Sequence, residues 1–193
     1  MVGILQLKIQ IEGIVPKIWR RFLVKENISF HELHKVIQIV MGRGDYHLYS
    51  FYVNKEEIGL PDPNFRNDLL NAKKIKLKKM LLPKQKVGYM YDFGDGWEHT
   101  LIVEKILNDK DSALVPICLE GERACPPEDC GSYLGYHELM DLMKNKKHPD
   151  YTERIVEWLG EDFNFEHFDV DETNKELLKI VKVDGRTRYW TPK

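Results

Sequence analysis

The stretch from Ser29 to Gly42 carries a start signal, a stop signal and one apolar stripe, so the rest of the chain must supply a surface to cover that stripe. Ser29-Phe30-His31-Glu32 is a capping box, in which the serine hydroxyl accepts from a free amide of the first turn and Glu32 reaches back. Leu33, Val36, Ile37, Val40 and Met41 then recur on one helical face, and Gly42 permits a left-handed stop. Extended segments surround this helix. Ile4 to Ile11 alternates with period two, as a half-buried strand does. Gly13 to Pro16 turns the chain, and Ile18 to Val24 reads as the returning strand of a hairpin. His47 to Val53, Val87 to Phe93 and Trp97 to Leu107 read as further strands, the last two joined by the tight turn Gly94-Asp95-Gly96. Pro61 to Asn64 reads as a loop, and Lys73 to Leu82 as one or two helical turns closed by Pro83.

A hairpin with one apolar face and a helix with one apolar stripe bury each other most economically when the helix lies across a mixed sheet. The expected class is α+β. The order of elements resembles the β-grasp of ubiquitin-like domains with one hairpin strand added. After Ile117 the pattern changes. Cys118 to Gly135 is a loop rich in Pro, Gly and acid, and helices are expected over Tyr136 to Lys144, Tyr151 to Leu159 (stopped by Gly160) and Glu172 to Val181 (capped by Asp171). The expected organisation is a β-grasp-like sheet domain over residues 1–117. A Cys/Pro loop and helical C-terminal lid over 118–193 packs on it as part of one structural unit.

With 193 residues, 42% hydrophobic, the chain can fill one full core plus a helical appendage. No apolar run approaches the roughly 18 residues of a membrane span, and Met1 to Leu7 lacks the basic and apolar regions of a signal peptide. Cys118, Cys125 and Cys130 are the three cysteines, an odd number that argues against a disulfide scaffold. A cytoplasmic protein with no membrane partner is expected. Charge is divided along the chain: 16 Lys and Arg against 8 Asp and Glu between Met1 and Tyr91, and 5 against 15 between Leu119 and Glu172. Such asymmetry marks either a polyanion-binding face, or two halves that attract each other or merely carry differently solvated surfaces; the latter reading is favoured, because a charge run is usually a solvated face.

Four separated stretches look familiar together. They are Ile14-Val15-Pro16-Lys17-Ile18-Trp19-Arg20-Arg21, Met41-Gly42-Arg43-Gly44-Asp45-Tyr46-His47-Leu48, Tyr91-Asp92-Phe93-Gly94-Asp95-Gly96-Trp97-Glu98-His99, and the run from Cys118 to Gly131 that contains Cys125-Pro126-Pro127-Glu128-Asp129-Cys130. In this order they resemble the plasmid pRi ORF-three-like family, an uncharacterised group with relatives among insertion-element passengers that carry a resolvase-like label. The likeness spans nearly the whole chain and implies a fold rather than an activity. One departure is Arg43, where an aromatic residue is expected after Gly42. Recombinase chemistry is not implied, since a serine resolvase needs a nucleophilic serine beside clustered arginines. Ser29 reads as a helix cap, Ser50 as a strand residue, and Ser112 and Ser132 as loop residues.

Three candidate sites follow. Cys118, Cys125 and Cys130, with a fourth ligand from His137, Asp129 or His99, are candidate zinc ligands, although their spacing fits no common zinc knuckle and free structural thiols are the favoured state. Asp45, His47, Asp92, Asp95 and His99 are candidate metal-binding or acid–base groups, to be weighed against the Asp and Gly that tight turns require anyway. Lys73, Lys74, Lys76, Lys78 and Lys79, with Arg20, Arg21 and Arg66, are candidate phosphate contacts for nucleic acid, with no aromatic platform for base reading. Arg186 to Trp190 adds basic and aromatic groups at the tail. The favoured expectation is a non-enzymatic binding module or mobile-element accessory contacting protein or nucleic acid. The alternative is a metal-dependent, hydrolase-like enzyme using the Asp/His cluster.

Overall fold

A computed structural model describes residues 3–64, 66–107 and 115–180. Eight strands form one sheet: β1 (Ile4–Ile11), β2 (Trp19–Lys25), β3 (Tyr49–Val53), β4 (Glu56–Gly59), β5 (Leu70–Asn71), β6 (Lys86–Tyr91), β7 (Trp97–Leu107) and β8 (Ile117–Glu122). Their spatial order is β5-β4-β3-β6-β7-β1-β2-β8. Every neighbouring pair is antiparallel except β4 and β5, which makes the sheet mixed. The α+β class with a mixed sheet and a packed amphipathic helix is borne out.

Helix α1 (Phe30–Met41) lies over this sheet. Both halves of its capping box form: Glu32 N donates to Ser29 Oγ at 3.2 Å, and Ser29 N donates to Glu32 Oε2 at 2.6 Å. Gly42, at φ 80°, ends it by donating to the carbonyls of Gln38 and Ile39. Phe30, Leu33, Val36, Ile37, Val40 and Met41 are all buried, and burying six such side chains stabilises by on the order of 10 kcal/mol. Beneath them the inward residues of β1 are Leu5, Leu7, Ile9 and Ile11, the alternation that the sequence displays. Phe30 meets Phe51 edge-on with ring centroids 5.2 Å apart.

The helical part after β8 comprises α2 (Ser132–Lys144), a π-helical segment (Thr152–Leu159) and α3 (Val170–Leu178). One continuous core joins it to the sheet through Tyr136, Leu139, Ile155 and Leu177. Among the described residues, no helix is long and apolar enough to cross a membrane.

Several local expectations are corrected. The loop after Ile117 begins as strand β8, whose Gly and acids hide a pairing that only β2 supplies. The chain after Val53 returns at once as β4 through Asn54 and Lys55, both left-handed at φ 51° and 71°. Lys73 to Leu82 yields only a 3-10 turn at Leu77–Lys79. The last helix is capped by Asp169, whose side chain accepts from Glu172 N at 2.9 Å, not by Asp171. Helix α2 starts at Ser132, four residues before the expected Tyr136. Val181, Ser112 and Arg186 to Trp190 lie outside the described residues.

Arg20 joins three elements at one end of the sheet. Its side chain is buried and donates to Val40 O (2.8 Å), Trp19 O (2.8 Å), Glu122 O (2.7 Å) and Arg123 O (2.6 Å), with Phe168 stacked 3.7 Å from the guanidinium. Burial lowers its pKa to about 10, so it stays charged at neutral pH. Gly121 is required beside it, because a Cβ there would lie 2.6 Å from Arg20 Cδ and 2.7 Å from Trp19 O.

Candidate functional site

Three connections meet just beyond the C-terminal end of α1: residues 42–48 leading into β3, the turn 92–96 between β6 and β7, and the loop 123–131 between β8 and α2. Each brings an acid with left-handed backbone, Asp45 (φ 58°), Asp92 (φ 56°) and Asp129 (φ 54°), a conformation that Asp tolerates better than most residues. Asp92 is held by its own turn: its Oδ1 accepts from Gly94 N at 2.9 Å and its carbonyl accepts from Gly96 N at 2.7 Å. Asp92 N donates to Leu48 O at 2.9 Å, which ties the β3 entry to the β6 exit.

His47, Asp92 and Asp129 converge. One ligand atom from each lies within 4.8 Å of the others, the group of this kind among the described residues. His47 Nδ1 sits 3.7 Å from Asp92 Oδ1, and Nε2 sits 3.2 Å from Asp129 Oδ1. The second contact is off the line that a hydrogen bond needs, so Nε2 is covered yet unpartnered. One imidazole nitrogen and two carboxylates form a mixed N/O donor set for a divalent cation and leave coordination positions for water or ligand.

Glu128 fixes the frame around this trio. Its carboxylate accepts from Gly44 N (2.7 Å) and Tyr91 Oη (3.0 Å), and Tyr91 Oη accepts from Tyr46 N (3.1 Å). Below it lies Arg43, with its side chain only 2% exposed and its guanidinium 4.8 Å from the Trp97 ring centre and 5.5 Å from that of Tyr91. Arg43 Nη1 makes two long contacts, to Glu128 Oε2 at 3.3 Å and Pro127 O at 3.4 Å, while Nε and Nη2 have no hydrogen-bond partner.

The remaining candidates from sequence fall elsewhere. Asp45 Oδ1 accepts from His34 Nε2 at 2.6 Å. Tyr89 Oη accepts from Gln38 Nε2 at 2.9 Å and lies 2.9 Å from His34 Nδ1, the other ring nitrogen. Burial lowers the His34 pKa against the opposing pull of Asp45. Asp95 Oδ2 accepts from Gly131 N at 3.1 Å and so fastens the β6–β7 turn to the loop before α2. His99 lies in the core with Nδ1 donating to Trp97 O at 2.9 Å, and burial together with the Arg43 charge pushes its pKa down to about 3. Sequence reasoning paired His47 with Asp92 but assigned Asp129 only to a zinc alternative. The one signal for it is the acid pair Glu128-Asp129 directly after Pro126-Pro127, of which Glu128 meets Gly44 N and Asp129 faces His47.

All three cysteines are free and buried. Cys118 Sγ contacts Arg21 O at 3.7 Å and Glu120 O at 3.9 Å, and Cys130 Sγ contacts Ser132 O at 3.9 Å. Burial pushes the Cys118 thiol up to about 11 and Cys130 up to about 12. Charges of both signs act on these thiols: Arg20 and Glu120 on Cys118, Arg20, Arg43 and Glu128 on Cys125, and Arg43 and Asp95 on Cys130.

Lys73, Lys74, Lys78 and Lys79 are exposed and Lys76 is half-buried, 3.5 Å from Glu32. The arginines expected beside them do not join that face. Arg20 is interior, Arg21 pairs with Glu104 and Glu120, and Arg66 pairs with Glu57 and Asp68. The bridges Arg21–Glu120 and Arg43–Glu128 also show where the basic and acidic halves attract each other. A cleft of about 450 Å³ lies between α2 and the π-helical segment, lined by Glu138, Asp141, His148, Asp150 and Arg154; its Arg154 and Glu138 already pair at 3.0 Å.

The family model described as plasmid pRiA4b ORF-3-like protein matches residues 3–172. The chain belongs to that family. This pRiA4b ORF-3-like chain is 32% identical, over 199 aligned positions, to the uncharacterised protein y4hQ of Sinorhizobium fredii, across 100% of this chain and 97% of the relative. It is also similar to the protein of unknown function MM3350 from Methanosarcina mazei. That crystal structure superposes with a TM-score of 0.81 at 40% identity, over 89% of this chain and 98% of the other. The relationships bear out the family resemblance and the α+β fold, and neither relative's description names an activity.

Proposed function

We propose that the chain is a metal-dependent protein in which His47, Asp92 and Asp129 hold a divalent cation whose open positions receive an oxygen-bearing ligand, the arrangement of a hydrolase-like centre. The observation that carries this reading is the approach of three ligand atoms, from three separate connections, to within 4.8 Å of one another. It is supported by the covered, unpartnered Nε2 of His47, a nitrogen for which a metal is a natural partner. A cation there would polarise a bound carbonyl or phosphoryl oxygen, or lower the pKa of its own water. The test is calorimetric titration of chelator-treated full-length protein with Mn²⁺ and Zn²⁺, repeated on Asp129→Asn and His47→Gln. One site per chain in the parent, weakened about tenfold or more in both variants, is expected. Equal affinity in parent and variants would remove the centre.

A second reading is favoured by the lysines. Among the described residues, Lys73, Lys74, Lys78 and Lys79 have no carboxylate within ion-pair distance, so they are available to phosphates. A mobile-element accessory that touches nucleic acid fits the plasmid origin in the family's description. Its mark is steep salt dependence. Affinity for single- or double-stranded DNA that is unchanged between low and physiological salt would remove this version.

A further inference from the structure

Three large apolar residues adjoin members of the trio along the chain and are left in solvent: Tyr46 is 76% exposed, Leu48 56% and Phe93 46%. Tyr46 directly precedes His47, Phe93 directly follows Asp92, and the Leu48 carbonyl accepts the Asp92 amide. Three exposed apolar residues next to the ligands of a polar centre are a pattern of a binding surface rather than of scattered surface residues. The Tyr46 ring is also parked. It lies so close over Gly44 that a Cβ there would be 2.4 Å from Cε2, and Tyr46 N is anchored on Tyr91 Oη. The ring is backed by Gly44 and the residue stays largely exposed, which suits stacking at little cost in ordering.

The charge around the trio narrows the ligand. Asp45 and Asp129 are exposed carboxylates, with Asp95 and Glu128 beside them, and the nearest guanidinium, that of Arg43, is buried beneath. A bare anion would be repelled here, and a divalent cation with three protein ligands reverses that by offering positions for phosphate oxygens. Inorganic phosphate would satisfy the metal and leave Tyr46, Leu48 and Phe93 wet. A purine base joined to the phosphate covers them, and its exocyclic amine finds carboxylate acceptors. We infer that the trio and its apolar neighbours bind a nucleoside phosphate, with the phosphate on the metal and the base on Tyr46 and Phe93; this rests on the metal-centre reading above. The nucleoside phosphate arrives either free or as the end of a single strand.

The test uses the full chain loaded with Mn²⁺ and titrated calorimetrically with AMP, inorganic phosphate and a short 5′-phosphorylated deoxyadenosine strand. AMP or the strand is expected to bind about tenfold or more tightly than phosphate, the effect of one stacked base, and to lose binding when the metal is chelated. Tyr46→Ala combined with Phe93→Ala should bring both down to the level of phosphate while Mn²⁺ affinity holds. Strand binding tighter than AMP assigns the site to strand ends, and the reverse assigns it to free nucleotides. Mn²⁺ binding with AMP and strand no tighter than phosphate overturns this inference and leaves the metal centre standing. Absence of Mn²⁺ binding overturns both.

Discussion

Arg20 and Arg43 are both buried arginines near the C-terminal end of α1, and they are treated in opposite ways. Arg20 uses four of its five N–H donors on backbone carbonyls from α1, β2 and the end of β8 and stacks on Phe168. Arg43 has two long contacts on one nitrogen, two nitrogens without partners, and the rings of Trp97 and Tyr91 for company. A fully satisfied buried cation is architecture. An incompletely satisfied one costs stability where it stands, and this one stands under the only end of the sheet where, among the described residues, metal-type ligands converge.

The sharpest way to break the contrast is Arg20→Leu. It strands four interior carbonyls, so unfolding free energy in urea should fall by about 3–5 kcal/mol; a loss below about 1 kcal/mol would show that Arg20 is no keystone. Next comes acid. His99 binds its proton near pH 6.5 when unfolded and only at about 3 when folded, so between those values the unfolded chain takes up more protons. Stability should therefore be full above about pH 6.5 and decline as pH falls, by about 2–3 kcal/mol from His99 alone at pH 4.5. Burial of His34 acts in the same direction. Melting curves that stay flat between pH 7 and 4.5 would contradict the burial of these rings.

Gly121→Ala tests the Arg20 corner from the other side. Its methyl meets Arg20, Trp19 O and Phe168 below 3.0 Å, and a loss of about 1–3 kcal/mol is expected from overpacking. The smallest effect belongs to Arg43→Met, which removes a poorly partnered charge. Stability should change by less than about 1 kcal/mol or rise. The same variant should shallow the acid decline, because the Arg43 charge is one cause of the depressed His99 pKa. A loss as large as that of Arg20→Leu would erase the distinction between the two corners.

Local chemistry was legible wherever it acts within a few residues. The span of β1, the capping box and Gly42 stop of α1, and the span of β7 are all written in period, cap and turn residues. β8 was not legible, because an edge strand carrying Gly and acids has no pattern of its own until Arg21 to Leu23 lie beside it. The nearby Asp and His residues were legible as candidates, but spacing does not say which carboxylate an imidazole will face. Asp45 is two residues from His47 and pairs with His34, whereas Asp129, far along the chain, faces His47.

Sequence alone thus determined the amphipathic helix, the alternating strands, the α+β class and the family, since each depends on the order of residues over short windows. Tertiary structure decided which arginine became a tie and which was left under the site, and which three ligands came together. Those choices depend on distances between segments remote in sequence, and burial acts on a group only after its neighbours have arrived.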